Sequence, residues 1–192
     1  MGTVATWTAG TTTGSQMATG YNALANSLNT VGQYSHNASV ALTITPTAIS
    51  VSTNDAQAGG ISHSTSTNTS RFTATVAGIY LFTVQPQITH LTTGTGTATF
   101  WLRSNGTTPI TDSAAIFKMG AVAGSGVLNI VVAIPMAVND YIEVMAVASA
   151  ASEHEITFTA GSGTGATAIP ASPAIIITAT ALPVKGRLCL LQ

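Results

Sequence analysis

The sequence predicts an all-β sandwich of the jelly-roll type with about ten strands, and three observations lead there. From Val40 onward, short apolar segments follow one another with turn residues between them and no helical period. The segment Phe72 to Val84 reads as a strand that is apolar on both faces, with Ile79 and Leu81 pointing one way and Tyr80, Phe82 and Val84 the other. An antiparallel strand of an isolated domain usually keeps one wet face. Charged residues are only 6% of the 192, against about a quarter in ordinary domains, so little repulsion opposes close association of copies. Loops of the same chain could cover such strands; we expect instead that another copy does.

Taken in order, residues 1–39 stand apart as an N-terminal arm. Thr8 to Ser15 has no period, and Met17, Tyr21, Leu24 and Leu28 then fall at helical spacings, with Ser15 as an N-cap and Gly20 weakening the helix. This segment is either an arm that orders against a partner, with Trp7, Met17, Tyr21, Leu24 and Leu28 as its contact residues, or a cap on the domain's open end. The sandwich is expected over residues 40–181. Val40 to Thr45 alternates, Pro46 stops it and Ala48 to Ser52 resumes. Gly59-Gly60 and the polar tract Ser62 to Ser70 read as loops, and Thr97 to Arg103 as a strand closed by a turn at Ser104-Asn105-Gly106, since Asn-Gly supplies positive φ angles. Further strands are expected over Ala114 to Met119, Val127 to Ile134, Tyr141 to Ala148, Glu155 to Ala160 and Ala174 to Ala181. Residues 182–192, apolar with Lys185 and Arg187, form a tail that is either a second contact arm or folded back.

These residues resemble the globular head of the C1q and tumour-necrosis-factor superfamily. The resemblance rests on Phe72, Val76, Gly78, Ile79, Tyr80 and Phe82, then on Phe100, Leu102, Asn105 and Gly106, then on Val127 to Ile134 followed by Asn139 to Val144, and on Ala174 to Ala179. It implies a ten-stranded jelly roll that assembles as a tight homotrimer around apolar and aromatic residues. With the two-sided strands, it makes Tyr80, Phe82, Val84, Phe100, Trp101 and Tyr141 the expected trimer interface. There is no Gly-X-Y stalk, and the usual Gly-Asp turn reads Asn139-Asp140, so no calcium site is carried over.

Ala-, Thr-, Ser- and Gly-rich jelly rolls of this type also resemble decoration, knob and fibre proteins of tailed bacteriophages. That resemblance implies a virion structural protein, a trimeric capsid decoration or cement protein made in the host cytoplasm. It would sit on the outer capsid surface, bound to the major capsid protein or another virion protein. A receptor-binding knob recognising host glycans through loops such as Ser62 to Ser70 and Gly161 to Thr167 is one alternative. A C1q-like soluble binding module of a cellular organism is another.

Other chemistry finds little purchase. With a net charge of −1 and no basic stripe, nucleic-acid binding is not expected. No apolar run reaches the roughly 20 residues that span a bilayer, and the N-terminus lacks a basic start and leucine-rich core, so no membrane partner is expected. Cys189 is the single cysteine and makes no internal disulfide. His36, His63, His90 and His154 are expected as exposed polar residues, with no two at metal-ligand spacing. Glu153-His154-Glu155 is the densest titratable cluster, and alternation would put both carboxylates on one face, as a solvated loop edge or a cation site on a threefold axis. Gly161-Ser162-Gly163-Thr164-Gly165 lacks the Lys-Ser/Thr ending and following helix of a phosphate loop. Neither catalysis nor any cofactor is expected.

Overall fold

A computed structural model of the chain describes residues 31–120 and 124–182. They form two antiparallel sheets packed face to face, an all-β jelly roll as the sequence predicts. The first sheet has at its centre the long strand β7 (Gly78–His90). On one side of β7 run β15 (Ile175–Leu182), β1 (Val31–His36) and β4 (Thr53–Ala58), in that order. The same side of β7 continues with β14 (His154–Ile156), which pairs with β2 (Val40–Ala41). Along its other side lie β11 (Ser125–Val127) and β12 (Ile130–Met136). Val127 faces Gln87 and Ile130 faces Val84 in one continuous register, so β11 and β12 are a single strand interrupted opposite Pro86, which has no N–H to share.

The second sheet runs β10 (Ala115–Met119), β8 (Gly96–Ser104), β13 (Tyr141–Ala148), β6 (Phe72–Ala74) and β5 (Ile61–His63). Two short pieces, β3 (Thr47–Ala48) on β13 and β9 (Thr108–Pro109) on β8, complete it. The turn between β8 and β9 has Asn105 at φ 51° and Gly106 at φ 74°, the pair of positive angles that Asn-Gly tolerates.

The inward residues of the two sheets interdigitate into one core, whose largest fully buried side chains include Tyr34, Phe72, Tyr80, Phe82, Phe100 and Ile142. This corrects the expected interface. Tyr80, Phe82, Val84 and Phe100 are at most 1% exposed within one chain, so none has surface left to offer a second copy. Alternation does separate the two side-chain sets of the strand, but the bulky aromatic set fills the interior. Phe72 to Val84 is also two strands rather than one: β6 ends at Ala74, β7 starts at Gly78, and Tyr80 closes the turn by donating its hydroxyl to the carbonyls of Val76 (2.6 Å) and Gly60 (3.1 Å).

The domain also starts earlier than position 40. β1 pairs with both β15 and β4, and its Tyr34 reaches the centre of the core. Leu182 is the last residue of β15 rather than the start of a tail. Trp7, Met17, Tyr21, Leu24 and Leu28 lie outside the described residues, as do 183–192.

Candidate functional site

Three places outside the common core concentrate chemistry: the outward face of the first sheet, a hollow on the second, and a buried histidine pair between them.

On the outward face of the first sheet, cross-strand rows place Val131, Thr83, Thr178 and Gln33 side by side, then Ala133, Leu81, Thr180 and Val31, then Pro135, Ile79 and Leu182. Methyl groups and hydroxyls cover this surface. Ile79, Val31 and Val131 are 36%, 43% and 53% exposed. Of the described carboxylate, lysine and arginine side chains, only Asp55 and Glu155 belong to strands of this sheet. Each is taken up locally: Asp55 accepts the Ser35 hydroxyl at 2.9 Å, and Glu155 that of Thr157 at 3.2 Å. Exposed apolar residues continue onto the neighbouring sheet edges, where Val127 of β11 and Ile116 of β10 are 63% and 64% exposed, Ile116 sharing its strand face with Lys118.

The outward face of the second sheet has the opposite character. Trp101 lies opposite Met145 in the β8–β13 pair and is half-buried, so of the expected interface residues Trp101 and Tyr141 alone retain surface in one chain. Arg103 lies opposite Glu143. The Glu143 carboxylate is buried and accepts from Arg103 Nη2 at 2.7 Å and Nε at 3.1 Å, and from the Ser70 hydroxyl at 3.0 Å. Arg71 stands farther off, with Nε 3.8 Å from Glu143, and lies over the Tyr141 ring at 4.3 Å from its centroid.

Beside Arg71 the surface sinks into a hollow of about 480 Å³ whose walls include Ser62, Asn68, Thr73, Asn139 and Tyr141. The loop forming one wall is held from within. Ser64 Oγ accepts the amides of Ser66 and Thr67, Asn68 takes φ 50°, and its carbonyl accepts the Arg71 amide at 2.9 Å. The base of the loop is pinned by His63, whose ring stacks on Phe72 and contacts Asn54 Oδ1 at 2.6 Å and the Thr69 carbonyl at 3.0 Å. Burial lowers the proton affinity of His63, and the Thr69 carbonyl works against that.

Three of the four histidines are buried, contrary to their expected exposure. β14 lies against β7 so that His154 faces His90, with ring centroids 4.7 Å apart. Glu153 sits by both, with one oxygen 3.8 Å from His90 Nε2 and the other 3.7 Å from His154 Nδ1. The Glu153 carboxylate accepts from Ser149 Oγ at 2.5 Å and the Ala150 amide at 3.2 Å, and its pKa is lowered first by the Ser149 bond. Glu153 and Glu155 thus have separate partners and form no common cation face. Neither ring nitrogen of His154 has a hydrogen-bond partner. Burial lowers its pKa, His90 lowers it further, and Glu153 partly opposes both. No group of three or more His, Cys, Asp and Glu side chains among the described residues is arranged to hold a metal ion. Gly161 to Gly165 leads only into a single 3-10 turn, Gly165–Thr167, and gives no phosphate-binding helix.

No protein-family model and no curated protein matches the sequence. Solved structures do match the fold. The chain is similar to the globular domain of zebrafish complement 1qA, at 10% identity and TM-score 0.50 over 80% of this chain and 98% of that one. It is similar to murine APRIL at 13% identity and TM-score 0.51, over 80% and 99% of the two chains. The Eiger TNF of S. frugiperda matches at 10% identity and TM-score 0.50, over 83% and 96%. The chain has the C1q/TNF-like jelly-roll fold. At these identities the likeness concerns the fold alone, and it agrees with the residues that carry the resemblance. Tyr80, Phe82, Phe100 and Leu102 are all in the core, and Asn105-Gly106 makes the expected turn.

Proposed function

We propose that this chain is a non-enzymatic structural protein that assembles as a homotrimer and decorates the capsid of a tailed bacteriophage. The observation that carries the assembly is the uncharged outward face around Leu81 together with the apolar edge at Val127 and Ile116. A threefold ring needs two different surfaces per copy, one presented and one received, and a face adjoining an edge supplies them. Covering the rows around Leu81 desolvates methyl groups and hydroxyls and no ion, so another copy of the same low-charge chain is the fitting occupant. Of the second sheet only the β10 edge at Ile116 enters the contact, and the face with Arg71, Arg103 and Glu143 stays out of it.

The capsid role is supported by the low charge and by the resemblance to phage decoration proteins. A feature of the termini also favours it. Val31 lies opposite Ala58 and Thr180, beside the end of β15, so Val31 and Leu182 lie at one end of the sandwich. Two tethers from one end of each subunit suit attachment to a shell. The test is light scattering on the purified chain together with mass spectrometry of purified particles. A trimer that is present in particles, and that is lost from them on deletion of residues 1–30, supports the reading; a monomer at micromolar concentration removes it.

The second reading is a receptor-binding knob that recognises host glycans. The hollow beside Arg71 favours it, because it is polar, shallow and built partly from the Ser62 to Ser70 loop.

A further inference from the structure

We infer that the hollow beside Arg71 is a binding site for a sugar that carries a carboxylate. The inference deepens the glycan-recognition reading and rests on it for the sugar, but not on the trimer, because one chain builds the whole site.

The charge at the site is unbalanced. Among the described residues Glu143 is the one carboxylate within 4 Å of Arg71, and it is already neutralised by Arg103 at 2.7 Å, with the Ser70 hydroxyl as a further donor; the Asp140 carboxylate is taken up by the Asn105 side-chain amide at 2.9 Å and the Ala137 amide at 2.8 Å. Arg71 is left as a surplus cation, its closest approach to Glu143 being 3.8 Å. No guanidinium hydrogen bond of Arg71 exists among the described residues, and its side chain is 39% exposed. The Tyr141 ring beneath it backs the guanidinium, which reduces the freedom lost when an anion docks. A planar carboxylate is the group that meets a guanidinium through two parallel hydrogen bonds.

The rest of the wall matches a polyol. The side-chain amides of Asn68 and Asn139 and the Thr73 hydroxyl line the hollow and make no hydrogen bond among the described residues. Amides and hydroxyls that can both donate and accept suit vicinal hydroxyl groups, which also do both. Because the loop wall is tied by Ser64, Asn68 and His63, these groups are positioned before any ligand arrives. A volume of about 480 Å³ accommodates one or two sugar units. An apolar ligand finds no apolar pocket here, and a bare anion leaves the amides unused.

The test is NMR titration of the full-length, 15N-labelled chain with methyl galacturonoside, methyl galactoside and N-acetylglutamate. Methyl galacturonoside is expected to shift the amides of Ser62, Thr73 and Tyr141 with a dissociation constant of about 1 mM. Arg71→Gln is expected to weaken it roughly tenfold, whereas Lys118→Gln, which removes a charge elsewhere, leaves it unchanged. Saturable binding of methyl galactoside that Arg71→Gln does not alter would leave the glycan reading standing and overturn the acidic sugar. Equal binding of N-acetylglutamate would overturn the sugar and leave a carboxylate site. No shift at the hollow with any of the three defeats both.

Discussion

Leu81→Lys is the substitution that most directly separates folding from assembly. Leu81 occupies the middle of the uncharged face, between Ala133 on β12 and Thr180 on β15, and its side chain points away from the core that Tyr80 and Phe82 fill. Around it Ile79, Val31 and Val131 remain 36%, 43% and 53% exposed in one chain. Full burial of such a side chain contributes roughly 1.5–3 kcal/mol, so covering the remaining third to half adds about 0.5–1.5 kcal/mol each and about 2–4 kcal/mol for the three. A lysine in their midst reverses that gain. Its ammonium meets no carboxylate among the outward residues of β7, β12 and β15, and desolvating an unpaired ion costs several kcal/mol. A loss of about 4 kcal/mol per contact weakens association roughly a thousandfold. Size exclusion with light scattering at about 0.1 µM, above a nanomolar dissociation constant and below the micromolar one that this loss would give, reads it directly. The parent is expected at three times the 19.3 kDa of one chain and Leu81→Lys at one times it, with an unchanged circular dichroism spectrum. The neighbouring Phe82→Lys, which buries the ammonium in the core, is expected to unfold the chain instead. A Leu81→Lys protein that remains trimeric, or a parent that elutes as a monomer, refutes the assignment of the face.

Three further outcomes follow from the ion pairs and the histidine pair. Arg103→Ala leaves the buried Glu143 with Ser70 and the distant Arg71. Losing one partner of a buried pair costs about 3–5 kcal/mol, and the 27% exposure of the Arg103 side chain puts this case nearer 2; calorimetry should find Tm lower by about 4–8 °C. Stability should fall with acid in two stages. The lowered pKa of His154 gives a contribution that is complete above about pH 6.5 and is lost as pH drops below it; the lowered pKa of Glu153 gives one that is complete above the ordinary carboxylate range and is lost as pH falls from there through its own depressed value. A Tm unchanged between about pH 7.5 and pH 5 contradicts this, and His154→Phe should flatten the first stage. Gly96→Ala places a Cβ 1.9 Å from the Glu153 carboxylate carbon and so displaces that group from Ser149 and Ala150; its cost, about 1–3 kcal/mol, should largely vanish in a Glu153→Ala background, as a double-mutant cycle by denaturant titration would show.

How much of this was legible in the sequence depended on whether the signal was local. β13 spans Tyr141–Ala148, the predicted strand, because the apolar and β-branched residues there form one uninterrupted segment between turns. The Asn105-Gly106 turn was equally plain, because its angles are a property of those two residues. The break between β6 and β7 at Thr75 to Ala77 carries no turn residue, so the sequence reads there as one continuous strand. In the two-faced strand, period two sorts the side chains into sets but gives no sign of which set enters the core; the larger, aromatic set does, and Ile79 and Leu81 are left on the outward face. β1 was placed in the arm because Val-Gly-Gln-Tyr-Ser-His is weakly apolar, and Tyr34 alone supplies its main core contact. The histidine pair is 64 positions apart, brought together by β14 lying on β7, and no spacing rule reaches that far. The hollow likewise draws on β5, β6, the following loop and β13, so it exists only once the second sheet is paired.

The two functional readings make opposite demands on one end of the molecule. Leu182 stands beside Ile79, which also pairs with Pro135. From Met136 at that end, the turn through Asn139 and Asp140 leads to Tyr141, which pairs with Thr73. The hollow therefore opens on the second sheet at the end where Val31 and Leu182 lie. If the terminal segments tie the subunit to a shell, the hollow lies close to the shell; if the hollow meets a cell surface, the tethers leave from the end nearest the cell. Methyl galacturonoside binding measured on intact particles and on the free chain distinguishes these arrangements. Equal affinity in both places the hollow in open solvent and favours the knob. Loss of binding on particles, with binding by the free chain intact, means that the shell covers the hollow and favours decoration.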